Sequence, residues 1–171
     1  MKRLHAALSG AKIPYRIIGG MAVYLQVSER DPGKARLTRD VDVAVNRGEL
    51  ERIAAAAVHF GFHFRHVTGM DMPLDNAEPR ASSGIHMVFA GEKIRPEYLE
   101  PVPSLSESTR TIEGILIAPV ADLVRMKLTS FRLKDQVHIQ DMDSVGLITP
   151  EIENSLSAPL RERLMQVRAS E

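Results

Sequence analysis

The stretch Thr38-Arg39-Asp40-Val41-Asp42-Val43-Ala44-Val45 constrains the fold most. Its valines alternate with Asp40, Asp42 and Ala44, which predicts a β-strand of period two. Residues two apart on a strand point to one face, so the two carboxylates project together. Carboxylates that close repel each other unless a cation lies between them. A hard divalent cation relieves that cost, and Mg²⁺ is commonly held by one or two carboxylates plus substrate phosphates. A lone Asp-x-Asp is as readily a solvated strand face. The upstream context favours a site. A β-prone run over residues 15–18 meets Gly19-Gly20-Met21-Ala22, then a helical stretch over 21–27, then a polar loop over 28–39. Glycines at a strand-to-helix turn let the backbone approach a ligand. The helix that follows presents free N–H groups to which a phosphate can bind.

The rest of the chain alternates in the same way. A helix is predicted over 2–12, a helix over 48–60, a strand over 62–67 and a strand over 85–90. Residues 70–83 hold two prolines and read as loop, and 95–108 as an extended connector. A single strand is predicted over 111–117. Pro119 then opens a helix that runs to about 131, proline being favoured in a first helical turn. A second helix covers about 134–145 with Gly146 as its cap. A third covers 150–165, and Pro159 allows a break inside it. Strands alternating with helices, then helices alone, predict an α/β fold: a sheet domain over 1–117 and a C-terminal helical segment over 118–171.

Composition limits the functions that fit. The 171 residues suffice for one domain with its own core. Lys+Arg and Asp+Glu stand at 22 each, so no net charge steers the whole molecule toward nucleic acid or an anionic membrane. Cysteine is absent, which excludes disulfides and thiolate metal sites and suggests a reducing, cytoplasmic setting. The first residues lack a signal-peptide core, and no run reaches the roughly 18 apolar residues of a membrane span, so no membrane partner is expected. Aromatics are 5% of the chain and tryptophan is absent, which disfavours a base-stacking platform for single strands. His59, His63 and His66 match no zinc pattern and read as surface residues.

A later cluster, Lys127, Arg132, Lys134, Asp135, His138 and Asp141, has spacings of one or two helical turns and places cations and anions near one groove. Taken alone it equally suits a solvated helix face. Together, Gly-Gly-Met-Ala, Thr-Arg-Asp-Val-Asp-Val and Lys-Leu-Thr-Ser-Phe-Arg-Leu-Lys-Asp-x-x-His-x-x-Asp-Met resemble the minimal nucleotidyltransferases of the DNA polymerase β-like superfamily. Within it they look most similar to the branch containing AbiEii-type toxins. The resemblance spans about residues 15–145. It implies a nucleotidyltransferase fold, with a small mixed sheet flanked by helices.

The resemblance also implies a division of labour. Gly19 and Gly20 would cradle the triphosphate of an NTP. Asp40 and Asp42 would hold Mg²⁺ or Mn²⁺, and Lys127 would contact phosphate or base, with Arg39, Arg132, Lys134 and Asp135 as further nucleotide-binding candidates. The implied reaction moves a nucleoside monophosphate to a hydroxyl on RNA or protein, and toxin-like relatives imply an antitoxin partner. One position departs from the family pattern. A third carboxylate belongs on the neighbouring strand, and His86 stands there. Histidine can serve as a general base, yet it is a poor Mg²⁺ ligand. A catalytic His86 and a degenerate, inactive nucleotide- or partner-binding protein therefore both remain open. Asp71, Asp75, Glu78 and Glu92 are the candidate substitute carboxylates.

Overall fold

The computed structural model describes residues 1–38, 40–67, 70–75, 85–105, 110–112 and 114–170, with backbone alone for 64–67, 70–75, 110 and 112. Its centre is a five-stranded mixed sheet. Strand β1 (Tyr15–Ile18) is buried along its whole length, as its Tyr-Arg-Ile-Ile sequence and central place require. It pairs antiparallel with β2 (Val41–Val45), whose period-two valines were legible in the sequence. Strand β3 (Phe62–Val67) and strand β4 (Met70–Asp75) form a separate antiparallel pair. Strand β5 (Ile85–Phe89) runs parallel to β2 at one edge of the large sheet. Strands β6 (Arg110–Ile112) and β7 (Ile115–Ile117) close the other edge, with β7 parallel to β1. The order is β5-β2-β1-β7-β6.

Among the described residues seven α-helices flank the strands: α1 (Lys2–Gly10), α2 (Gly19–Arg30), α3 (Leu50–Val58), α4 (Val120–Ser130), α5 (Leu133–Ser144), α6 (Pro150–Asn154) and α7 (Ala158–Ala169). Helix α1 packs on α3, whereas α2 lies against β2, α4 and α5. Helix α7 covers α4 and α5. The buried apolar residues form one cluster that runs from Ile17 and Val45 of the sheet to Leu128, Ile139, Met142, Leu160 and Leu164 of the helices. Burying each such side chain contributes roughly 1.5–3 kcal/mol, so this cluster is what holds the C-terminal helices on the sheet. Among the described residues no helix is long and apolar enough to cross a membrane.

Two expectations are corrected. Residues 70–75 are a strand, not a loop. Pro73 had argued against one, but it sits in a two-stranded ribbon opposite Phe64, where a missing N–H can face away from the ladder. The single strand expected over 111–117 is a hairpin, in which Gly114 at φ +79° supports the reversal between Ile112 and Ile115. The third C-terminal helix breaks, as Pro159 allowed, and Pro159 lies in the first turn of α7, where its lost N–H costs no hydrogen bond. Residues 76–83 of the expected loop lie outside the described residues.

Candidate active-site cleft

Sheet register builds the site. Ile18, the last residue of β1, is paired with Asp42, and Asp42 is paired with His86 on β5. The chain leaves β1 at that point and turns into α2 through Gly19, whose φ of +68° disfavours any residue with a Cβ. A Cβ at Gly19 would lie 2.1 Å from Asp42 Oδ2. The Asp42 carboxylate thus lies against the backbone that starts α2, where the helix dipole favours negative charge. Across the sheet, His86 Nδ1 is 3.2 Å from Asp42 Oδ1. The two side chains are 34% and 32% exposed, so both can be reached by a ligand.

Asp40 stands just before β2 rather than on it. It is exposed, and its backbone N–H donates to Thr38 Oγ1 at 3.2 Å. Asp40, Asp42, His86 and Gly19 line one cleft of about 310 Å³. Gly20 was expected beside Gly19 against the phosphates. Its Cα instead faces Thr38 and His138, at 3.2 Å and 3.4 Å from where a side chain would begin. It permits close packing behind the turn and does not line the cleft.

The opposite wall comes from α4 and the start of α5. Leu123, Met126, Lys127 and Ser130 recur at helical spacing along α4 and all line the cleft, joined by Arg132 and Lys134. Leu123 is buried, whereas Met126, in the stripe that faces the cleft, is only half-buried. The Lys127 ammonium is buried and donates to Asp135 Oδ1 at 2.9 Å. Asp135 is fully buried and also accepts from Ser130 Oγ at 2.8 Å and Arg132 Nε at 2.7 Å. Burial alone would raise its carboxyl, yet the Arg132 and Lys127 cations and the Ser130 hydroxyl bring it down to about 2. Asp135, expected beside the nucleotide, does not line the cleft. Its carboxylate is spent on the cations behind the wall. Arg132 is held in its charged form chiefly by that hydrogen bond, and Asp42 adds to the effect.

His138 belongs to the charged cluster of the sequence but carries no role in the resemblance. It lies behind the glycine turn, and its Nδ1 is buried with no hydrogen-bond partner among the described residues. Burial, with the Lys127 charge beside it, lowers its pKa to about 4. The ring is neutral at pH 7. A folded pKa below the ordinary value of 6.5 gives stability that is present above pH 6.5 and is lost as pH falls through 4. Discounted for partial exposure, the loss over that window is about 2 kcal/mol. Urea denaturation of wild type between pH 7 and 4 should show this slope, and His138→Gln should flatten it. Parallel pH profiles would remove His138 as the cause.

The remaining candidates are placed as follows. Arg39 lies outside the described residues, as does Glu78. Asp71 and Asp75 are on β4, described by backbone alone. Glu92 cannot replace the third carboxylate, because it is held by Arg47 in a two-bond pair at 2.7 Å and 2.6 Å and does not line the cleft. His59 and His63 are exposed. The segment after β5 was read only as a connector. It supplies the third side of the cleft through Ile94, Arg95, Tyr98, Glu100 and Val102. Its lack of periodicity hid that role.

No protein-family model and no curated protein sequence matches this chain. Its architecture does match solved structures. An antigenic nucleotidyltransferase-like protein from Paracoccidioides brasiliensis aligns over 98% of this chain and 85% of its own, with a TM-score of 0.62 at 18% identity. ANT(2'')-Ia in complex with adenylyl-2''-tobramycin aligns over 99% and 95%, with a TM-score of 0.49 at 15% identity. The first of these likenesses shows the fold: a nucleotidyltransferase fold with a small mixed sheet flanked by helices.

Proposed function

We propose that this chain transfers a nucleoside monophosphate from a nucleoside triphosphate to a hydroxyl-bearing acceptor. The observation that carries the proposal is the seat of Asp42. On a nucleotidyltransferase fold, its carboxylate lies against Gly19 at the start of α2, in one cleft with Asp40, Lys127 and Arg132. Asp40 and Asp42 in one cleft with Lys127, Arg132 and Lys134 suit a polyphosphate that carries a divalent ion.

The donor set fits Mg²⁺ or Mn²⁺. Asp40 and Asp42 are hard oxygen donors, and they would hold the ion together with phosphate oxygens. Among the described residues no three His, Asp or Glu side chains converge as a self-sufficient metal site, so the nucleotide has to complete it. When bound, the ion supplies charge neutralisation at the phosphates. In the transfer, the acceptor oxygen forms a bond to the α-phosphorus as the bond to the bridging oxygen breaks and pyrophosphate leaves. Lys127, Arg132 and Lys134 would bind and orient the phosphate chain, since catalysis of this kind rests on positioning and charge. The acceptor proton goes to a base. His86 is the candidate: a hydrogen bond from Nδ1 to Asp42 leaves Nε2 as a proton acceptor.

The sequence resemblance, and no feature of the cleft, suggests RNA or protein as acceptor, a toxin-like role and an antitoxin partner. His86 itself favours a second reading. With imidazole where the superfamily carries a carboxylate, the chain would bind nucleotide or a partner without turnover. The test uses NTPs labelled at the α-phosphate, Mg²⁺ or Mn²⁺, and total RNA and protein as acceptors, with calorimetry of a nonhydrolysable NTP alongside. Label in an acceptor supports the enzyme. Metal-dependent binding without label transfer supports the second reading, and no binding overturns the enzyme and the nucleotide-binding form of the second reading.

Position 86 has its own test. His86→Asp places a hard oxygen beside Asp42, so in the presence of nucleotide it should tighten Mg²⁺ or Mn²⁺ binding by roughly ten-fold. Equal affinities in wild type and variant would exclude residue 86 from the metal site.

A further inference from the structure

The cations of the cleft wall need something to hold them there. Lys127 has 8% of its side chain exposed and Asp135 none. A buried ammonium without a partner gives up its proton or swings to solvent. The local chain path prevents this. Helix α4 ends at Phe131 in the left-handed conformation, φ 50° and ψ 28°, and α5 starts two residues later. That corner brings the last turn of α4 and the first turn of α5 around one carboxylate. Asp135 receives Lys127 Nζ at 2.9 Å, Ser130 Oγ at 2.8 Å, and Arg132 Nε and Nη2 at 2.7 Å and 3.4 Å. All three donors line the cleft, and their acceptor does not.

We infer that Asp135 is a positioning residue, which holds the Lys127 ammonium and the Arg132 guanidinium at the cleft wall so that together they receive a polyphosphate. The inference rests on the proposed nucleotide site. It assigns to the carboxylate a task no ligand contact would reveal. One negative charge against two cations leaves the wall net positive. The hydrogen bonds fix both side chains before a ligand arrives, so less rotamer entropy is lost on binding. Ser130 supplies a further donor, which keeps the buried carboxylate satisfied on both oxygens.

The probe is inorganic tripolyphosphate, titrated by calorimetry with and without Mg²⁺, so that turnover is not needed. Asp135→Asn keeps the shape and removes the charge. It is expected to weaken tripolyphosphate binding roughly ten-fold or more while the far-ultraviolet spectrum stays that of a folded chain. The same change made in a Lys127→Met background should cost less, because part of its effect is already gone. Arg168→Ala removes an ion cluster elsewhere on the helices, with Asp143 and Glu153, and should lower the thermal midpoint without changing the affinity. In wild type, the Lys127 side-chain nitrogen resonance, assigned by its loss in Lys127→Met, should shift on adding tripolyphosphate. That measurement decides the matter even if Asp135→Asn does not fold. A folded Asp135→Asn of unchanged affinity, strict additivity with Lys127→Met, or an unmoved Lys127 resonance overturns the positioning role alone. Wild type that binds no tripolyphosphate under either condition overturns the nucleotide site and this role with it.

Discussion

Asp42→Asn is expected to lower kcat/KM for nucleotidyl transfer by about a thousand-fold or more, ~4 kcal/mol in activation free energy. The substitution preserves shape. An Asn carbonyl can still accept from His86, so the β2–β5 register and the fold should hold. What disappears is one of the two hard anionic donors of the proposed metal site, and the third carboxylate that lines the cleft, Glu100, forms no metal-holding group with them among the described residues. Sites with three converging acids can share the loss, and this one cannot. The effect should be largest on metal dependence, with the Mn²⁺ or Mg²⁺ concentration for half-maximal rate rising steeply. Steady-state kinetics across a metal titration gives both numbers. A variant with near-wild-type kcat/KM at low metal would remove Asp42 from the reaction. If wild type shows no turnover, the same comparison made by calorimetry of metal-dependent nucleotide binding tests Asp42 under the second reading.

Gly19→Ala should abolish metal-dependent nucleotide binding to a similar degree, at a much smaller cost in stability. Two physical effects meet at this residue. Its φ of +68° costs a non-glycine residue about 1–3 kcal/mol. The added methyl would also fall 2.1 Å from Asp42 Oδ2. The nearest atom is the end of a short side chain, so the conflict is relieved by rotating the Asp42 carboxylate away and not by opening the sheet. Stability should therefore drop by the backbone term, about 1–3 kcal/mol, while Asp42 is moved out of its seat. Chemical denaturation and nucleotide calorimetry on the same preparation separate the two. Loss of binding in proportion to unfolding alone would mean that Asp42 keeps its place. Gly20→Ala makes the contrast, since its added methyl would meet Thr38 and His138 behind the turn.

The elements that position the site were legible where one period dominated. β1 falls at Tyr15–Ile18, the bounds its β-prone residues indicate, and β2 at Val41–Val45 follows the valine alternation but starts one residue after Asp40. β5 ends one residue earlier than expected, at Phe89. Elements were misread where a single residue outvoted a pattern. Pro73 masked the alternation of Met70, Met72 and Leu74, and a ribbon that tolerates proline escaped notice. The 111–117 run hid a reversal at Gly114 because three residues on either side are too few to show a period.

At the site the division is sharper. By itself the sequence determined which groups were available: two carboxylates two residues apart, a glycine turn ahead of a helix, and a cationic helix corner. Those follow from local rules, since i,i+2 and i,i+4 spacing fix side-chain direction without knowledge of the rest. Only the tertiary structure decided who touches whom. The β1–β2–β5 register put Asp42 between Gly19 and His86, which lie 23 and 44 residues away along the chain. Burial then separated residues that looked alike in the sequence. Gly19 meets the cleft and Gly20 meets His138, while Lys127 and Arg132 face the cleft and Asp135 stands behind them. The physical reason is that depth and pairing are properties of packed elements. A carboxylate beside two cations in sequence has the same spacing whether it is to bind a ligand or to hold those cations, and only its exclusion from water tells which.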